Sequence, residues 1–364
     1  MESVYKGKQN CSGCCACGEK CPRGAIRMEP DEEGFLYPVV DQELCVDCGL
    51  CRKVCPLLRE GNCKETGTPR FYSATHKSEQ VLMESTSGGA FTALSDLVLS
   101  DGGSVCGVVF NGDWSVRHCI TRDPKVRDLM RVSKYVQSDL RGVFRQVAAE
   151  LKDRSVLFTG TPCQCAGLRS FLNGSPLAEK LFVCDLICHS VPSPAVWQAY
   201  RAMLEKKAGG PVTELRFRSK LNGWGRAASN KGFCYKIAGD REFREDDFFY
   251  ELFIGRNVIA RPSCEACRFT DVHRASDLTI ADCFGIEQYS PELCDKRGVS
   301  LVITNTPRGA EMFKRISKDM ITSERPQWQI TEHQQRLSKP VVYPAAERAR
   351  FWEIFRKEGL EKAL

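Results

Sequence analysis

Short apolar runs alternate with amphipathic stretches along most of the chain. Residues 104–110, 155–159, 181–187, 278–281 and 300–304 have the length and β-branched content of buried strands, and helix-like patterns separate them. That alternation predicts an α/β or α+β sheet domain. One helix opens at Ser87-Gly88-Gly89, carries Phe91, Leu94 and Leu97 on one face, and closes at Gly102-Gly103. Asn111-Gly112, between the apolar stretches 108–110 and 114–120, predicts a hairpin, so the sheet is expected to be mixed rather than purely doubly wound. A second hairpin is expected where 25–28 and 35–37 flank the turn at 31–34. Residues 309–320 read as a helix. The charged tail 345–362 has Phe351, Ile354 and Phe355 on one side, a helix expected to pack on its own domain, with partner docking as the alternative.

The 364 residues, 42% of them hydrophobic, suffice for two or three domains with buried cores. The N-terminus lacks an apolar leader, and no apolar run approaches the roughly 18 residues that span a bilayer, so a soluble, cytoplasmic protein without a membrane span is expected. The formal charge of +6 counts every cysteine as neutral. Four-thiolate cubane sites contribute about −2 each when oxidised, and three of them would cancel the excess. No stretch concentrates Lys and Arg with interleaved aromatics, and nucleic acid is not expected as a partner.

Cysteine changes the picture most. There are 21, an odd number, and nine fall in two tight groups, a pattern of metal sites rather than disulfides. Cys11, Cys14, Cys17 and Cys21-Pro22 form C-x2-C-x2-C-x3-C-P, and Cys45, Cys48, Cys51 and Cys55-Pro56 repeat it 34 residues later. The three closely spaced thiolates converge on one loop, and the cysteine before proline reaches the other cluster. Cys11, Cys14, Cys17 and Cys55 are thus expected to hold one [4Fe–4S] cubane, and Cys45, Cys48, Cys51 and Cys21 a second. Zinc is the alternative, but its knuckles contribute two cysteines each, not three and a distant fourth. Cys15 fits no ligand slot and reads as a small buried hydrophobe. The polar stretch 63–70 marks a boundary, giving a two-cluster ferredoxin domain over 1–66, a larger domain over 70–325, and a C-terminal helical tail over 326–364.

In the larger domain Cys163 stands where a strand gives way to a helix, a position at which the helix dipole favours a thiolate. Cys188-His189 follows another strand, and Cys264-x2-Cys267 follows Arg261-Pro262. A third cluster on Cys163, Cys188, Cys264 and Cys267 is one reading. Buried inert thiols, or a redox-active Cys163 or Cys188 beside His189, are the others. The Ser87-Gly88-Gly89 turn could present free backbone N–H groups to a phosphate, or simply begin a helix.

Together the ferredoxin repeats, Ser87-Gly-Gly-Ala-Phe-Thr-Ala-Leu, Ser133-Lys-Tyr-Val-Gln-Ser138, Thr159-Gly-Thr-Pro-Cys-Gln164, Cys188-His189, Asn222-Gly-Trp-Gly225, Cys264-x2-Cys267 and Arg274-Ala-Ser-Asp-Leu-Thr-Ile-Ala-Asp282 resemble the family of beta subunits of coenzyme factor-420 hydrogenases and dehydrogenases over residues 8–320. The resemblance implies an α/β catalytic domain with FAD, a cluster beside it, and a deazaflavin as hydride partner. It places FAD against Ser87, Gly88 and Gly89, against Ser133, Lys134, Tyr135, Gln137 and Ser138, and against Thr159, Gly160 and Thr161. The sequence departs from the family pattern at Cys15, Cys165, Ser190 and Cys283-Phe284.

Clusters move single electrons and a deazaflavin takes a hydride, so a flavin is needed between them. The expected protein is an iron–sulfur flavoprotein oxidoreductase that exchanges electrons with a ferredoxin or redox partner subunit and passes hydride to or from a small organic acceptor. His189 and Lys134 are the candidates for orienting or protonating that acceptor. The alternative is an electron-transfer subunit with neither flavin nor substrate pocket.

Overall fold

The computed structural model describes residues 3–58, 67–220, 223–224 and 232–364. Residues 63–66 of the expected linker, and Asn222 and Gly225 of the family pattern, lie outside them. Near the N-terminus β1 (Ile26–Pro30) and β2 (Leu36–Val40) form an antiparallel hairpin in which Ile26 faces Val40 and Pro30 faces Leu36. Asp31 builds its turn: the carboxylate accepts from the N–H groups of Glu33 and Phe35.

The larger body is organised on an eight-stranded mixed sheet. In chain order its strands are β3 (Arg70–His76), β4 (Ser104–Phe110), β5 (Val116–Thr121), β6 (Val156–Gly160) and β7 (Leu181–Leu186). Beyond β8 (Val212–Arg216), β9 (Cys234–Ile237) and β10 (Arg244–Glu245), which form a separate three-stranded antiparallel sheet, come β11 (Leu278–Asp282), β12 (Ser300–Thr304) and β13 (Met320–Arg325). The order is β13-β3-β12-β11-β7-β6-β4-β5, with β4, β6, β7 and β11 parallel and the flanking pairs antiparallel. The carboxyl ends of the four parallel strands therefore open on one side.

Two helical layers cover the sheet. On one face helix Ala90–Ser100 and helix Pro307–Ile316 pack Leu94, Leu97, Met312 and Phe313 on Val105, Leu157 and Val302. On the other, helices Val143–Asp153 and Pro162–Phe171 place Phe144, Val147 and Leu168 over Val156, Phe158 and Val183. Cys14, Cys15, Ala16, Met28 and Val54 join this second core, so the cysteine-rich front is seated on the helical layer. Gly167 makes that close approach possible, because a Cβ there would stand 3.0 Å from both Cβ and Sγ of Cys14.

Three features differ from the sequence reading, one being the helix read over 309–320, which ends at Ile316 so that Met320 opens β13. The hairpin at 111–112 exists, but its tip is longer: Asn111 donates through its N–H and its side-chain amide to Ser115, and Trp114 turns in a left-handed conformation (φ 60°) instead of continuing the strand. The helix opening at Ser87 is capped by left-handed Gly89 and runs from Ala90. The tail does pack on its own domain. Helix Ala345–Glu358 buries Phe351 and Trp352 in an aromatic core with Trp197, Tyr200 and Phe249, where Trp352 donates to the Val258 carbonyl at 3.0 Å.

Candidate functional site

The cysteines of the front fall into two groups. Cys21, Cys45, Cys48 and Cys51 line one pocket with Ala25, Ile26 and Val46. Burial, then the neighbouring thiols of Cys48 and Cys21, push the Cys51 thiol up. Cys48 is exposed, so this group opens on the surface. Deeper in, burial holds Cys14 and Cys17 well above the usual thiol range. Cys55 and Cys17 add to the effect at Cys14, and Cys11, Cys15 and Cys55 add to it at Cys17. Each group combines three thiols of one motif with the cysteine before proline of the other.

Thiols raised in this way do not ionise unaided, and they become thiolates when a metal replaces the proton. Among the described residues no three His, Cys, Asp or Glu side chains are arranged as ligands of one ion. A cubane takes each thiolate on a different iron, so its ligands surround a core instead of converging on a point.

The third group lies at the carboxyl ends of the parallel strands. Cys163 is the second residue of helix Pro162–Phe171, Cys188 follows β7, and Cys264 and Cys267 stand on the turn after Arg261-Pro262. Burial raises all four thiols, and the three others raise Cys188 further, while Cys163 and Cys267 do the same to Cys264. At Cys163 burial outweighs the helix start, contrary to the sequence expectation, although hydrogen bonds from Thr161 (3.2 Å) and Ser12 and the charge of Arg261 oppose it. A nucleophilic cysteine needs its pKa lowered. The thiol of Cys188 is raised instead, and His189 Nε2 is engaged 2.8 Å from Asn257 Oδ1. Cys14 and Cys163 are close enough for one thiol to raise the other, so the inner front group and the third group are neighbours. Cys15, Cys165 and Cys283 are buried and stand outside these ligand sets.

The segments expected to hold a flavin lie on the same side of the sheet, near the carboxyl ends of its parallel strands, but several of their polar groups have protein partners. The Ser87 hydroxyl donates to the Val299 carbonyl (2.8 Å), and the Gly88 N–H goes to Ser300 Oγ (2.9 Å), so that N–H is already taken. Ser133 N–H is taken by Thr86 Oγ1 (3.0 Å). Gln137 donates to the Ser12 carbonyl (3.1 Å) and accepts from Arg261 (2.8 Å), which ties it to the front. Ser138 bridges His118 Nδ1 and Gln164 Nε2 at 3.0 Å each. Thr159 Oγ1 donates to the Cys106 carbonyl (3.2 Å), and Thr161 N–H bonds Gln164 Oε1 (2.9 Å) beside Gly160. Tyr135 lies against Phe253 at 5.3 Å between ring centroids, and His189 meets the same ring edge-on at 5.3 Å.

Sequence reasoning passed over a charged group at these strand ends. Arg218 binds Asp282 Oδ2 at 2.9 Å and reaches the Tyr135 hydroxyl at 3.3 Å, while Trp224 Nε1 donates to Asp282 Oδ1 at 2.8 Å. Lys220 sits on the carbonyls of Leu82 (2.6 Å), Ser87 (2.8 Å) and Arg297, and burial lowers its pKa to about 8. The sequence signal was adjacency alone: Arg218 and Lys220 closely precede the 222–225 motif.

Lys134 points its ammonium at the carbonyls of Leu129 (2.8 Å), Arg131 (3.1 Å) and Val132 (3.1 Å), and burial holds its pKa down to about 7. The unfolded chain, with a lysine pKa of about 10.4, binds more protons than the folded one between those values. Stability should therefore rise with pH from about 7 towards 10. Lys134→Met is expected to flatten that rise, measured by urea denaturation at pH 7 and pH 9. Identical pH slopes in variant and wild type would contradict this placement.

A family model for the C-terminal part of the beta subunit of coenzyme F420 hydrogenase/dehydrogenase matches residues 153–327, and a 4Fe-4S dicluster domain matches residues 10–57. Coenzyme F420-dependent sulfite reductase of Methanocaldococcus jannaschii is 28% identical over 163 residues, 44% of this chain and 24% of that protein. A subunit of the F(420)H(2) dehydrogenase of Methanosarcina mazei is 23% identical over 190 residues, 49% of this chain and 53% of that one. The chain thus matches about half, or less, of the length of these relatives. A chain of the F420-reducing [NiFe] hydrogenase complex from Methanosarcina barkeri superposes with a TM-score of 0.50 at 15% identity, over 82% of this chain and 90% of the other, which establishes likeness of fold. No helix among the described residues is long and apolar enough to cross a membrane.

Proposed function

The chain joins a 4Fe-4S dicluster domain to a C-terminal domain of the kind found in beta subunits of coenzyme F420 hydrogenases and dehydrogenases, and from that premise we propose that it is an iron–sulfur flavoprotein oxidoreductase subunit relaying electrons between a redox partner and a deazaflavin-like acceptor. The observation that supports this reading is the succession of thiol groups. The surface group around Cys48 leads to the inner group on Cys14, which adjoins Cys163 at the strand ends.

In this account Cys21, Cys45, Cys48 and Cys51 hold the outer cluster, Cys11, Cys14, Cys17 and Cys55 the inner one, and Cys163, Cys188, Cys264 and Cys267 a third. Ser12 and Thr161 hold the Cys163 sulfur from two sides, one from the front and one from the helix start. An FAD at the strand ends supplies the exchange between single electrons and hydride. Lys220 beside the Ser87 carbonyl, with the start of helix Ala90–Ser100, would face its phosphates. Tyr135, Phe253 and His189 would wall its ring system and exclude water. Arg218, held by Asp282, would orient an anionic acceptor.

The second reading, an electron-transfer subunit without flavin, is favoured by the internal hydrogen bonds of Ser87, Gly88 and Gln137. Denaturing the anaerobically purified protein separates the two readings. Green flavin fluorescence in the released fraction is expected, and a dark supernatant would leave the electron-transfer reading.

A further inference from the structure

Arg261 is completely buried, and a buried guanidinium is costly unless an anion accompanies it. The other deeply buried arginines obey that rule: Arg274 lies 3.1 Å from Asp185, and Arg127 lies 2.6 Å from Asp96. Arg261 instead donates to three neutral oxygens, the carbonyls of Cys11 (2.8 Å) and Leu36 (3.0 Å) and the side-chain amide of Gln137 (2.8 Å). Its guanidinium lies over the rings of Tyr37 (4.2 Å) and Phe35 (5.3 Å), which are neutral as well. Among the described residues no carboxylate is ion-paired with it. The remaining hydrogen-bond contact is the Cys11 sulfur, 3.7 Å from Nη2, and the charge also acts on the Cys163 and Cys264 thiols beyond it.

We propose that the missing anion is the cubane held by Cys11, Cys14, Cys17 and Cys55, and that Arg261 sets the reduction potential of that cluster. This rests on the reading that the front cysteines hold cubanes. Four thiolates around an oxidised core give a net charge of about −2, and reduction adds one more negative charge. A fixed cation against the ligand sulfur, in a site that excludes water, stabilises the reduced form more than the oxidised form and raises the potential. Arg261 also immediately precedes Pro262–Cys264, and its carbonyl accepts from the Cys264 N–H at 3.0 Å. One residue thus spans the inner front group and the third group. By raising the inner potential it draws electrons inward from the surface cluster.

The test is a redox titration of the anaerobically purified holoprotein, followed by electron paramagnetic resonance. The inner cluster is identified as the one whose signal Cys14→Ser alters. Arg261→Gln is expected to keep full iron content and to lower the inner midpoint by at least ~59 mV, a tenfold change in the oxidised-to-reduced ratio for a one-electron couple. Arg261→Lys, which keeps the charge, should restore most of that shift. Gln137→Glu gives the guanidinium a carboxylate and should lower the same midpoint, which supplies the test if Arg261→Gln does not assemble its clusters. Full iron with an unmoved inner midpoint in Arg261→Gln or Gln137→Glu would overturn the proposal. Equal shifts in Arg261→Gln and Arg261→Lys would overturn it too, by assigning the effect to hydrogen-bond geometry instead of charge. Wild-type protein without eight or more irons per chain would instead sink the cluster reading beneath it.

Discussion

Replacing Cys163 with alanine is expected to remove about four of about twelve irons per chain and to stop electrons from the front clusters reaching the flavin, while the front clusters keep their own absorbance. Cys163 is the thiol through which the third group meets the inner front group, and in the proposed relay, buried among Cys188, Cys264 and Cys267, it would be a ligand with no nearby substitute. Cys165, two residues on, is fully buried and directed towards the carbonyls of Gly160 and Cys184. Rapid mixing with a reduced donor, watched at the cluster and flavin bands, checks the prediction. Flavin reduction at the wild-type rate in Cys163→Ala would show that electrons do not pass this way.

Breaking the pair between Arg274 and Asp185 is expected to have the largest effect on stability. Both side chains are buried, and Asp185 also accepts from Thr279 Oγ1 at 2.6 Å. Arg274 donates to the carbonyls of Phe269 (2.9 Å), Asp271 (3.2 Å) and Leu186 (2.9 Å), so the pair clamps the chain after Cys267 onto the strand end that leads to Cys188. Asp185→Ala leaves a buried guanidinium without its carboxylate, at a cost of about 3–5 kcal/mol. The expected results are a much earlier urea midpoint and loss of the third cluster's iron before that of the front clusters. A change below about 1 kcal/mol, within the range of exposed ion pairs, would contradict the clamp.

The sequence made the interior strands legible because β4, β6, β7, β11 and β12 are predominantly apolar and largely buried. It was silent on β3 and β13. In β3 the buried positions include Ser73 and Thr75, and β13, at the sheet edge, buries only Met320, so neither shows a hydrophobic period. The grouping of the front cysteines was legible because their spacing is local. The partners of Gly88, Gln137 and Arg261 were not, since Gly88 bonds Ser300 and both Gln137 and Arg261 bond the Cys11-Ser12 loop across the fold. Arg261 in particular looks in sequence like an ordinary basic residue before a C-x2-C turn. Only its complete burial without a carboxylate distinguishes it.

The relay from surface to strand ends is tested most directly by quantifying iron, acid-labile sulfide and released flavin per chain after anaerobic purification. The account predicts about twelve irons, matched by sulfide, with one FAD. About eight irons without flavin would contradict it and leave a two-cluster electron-transfer module.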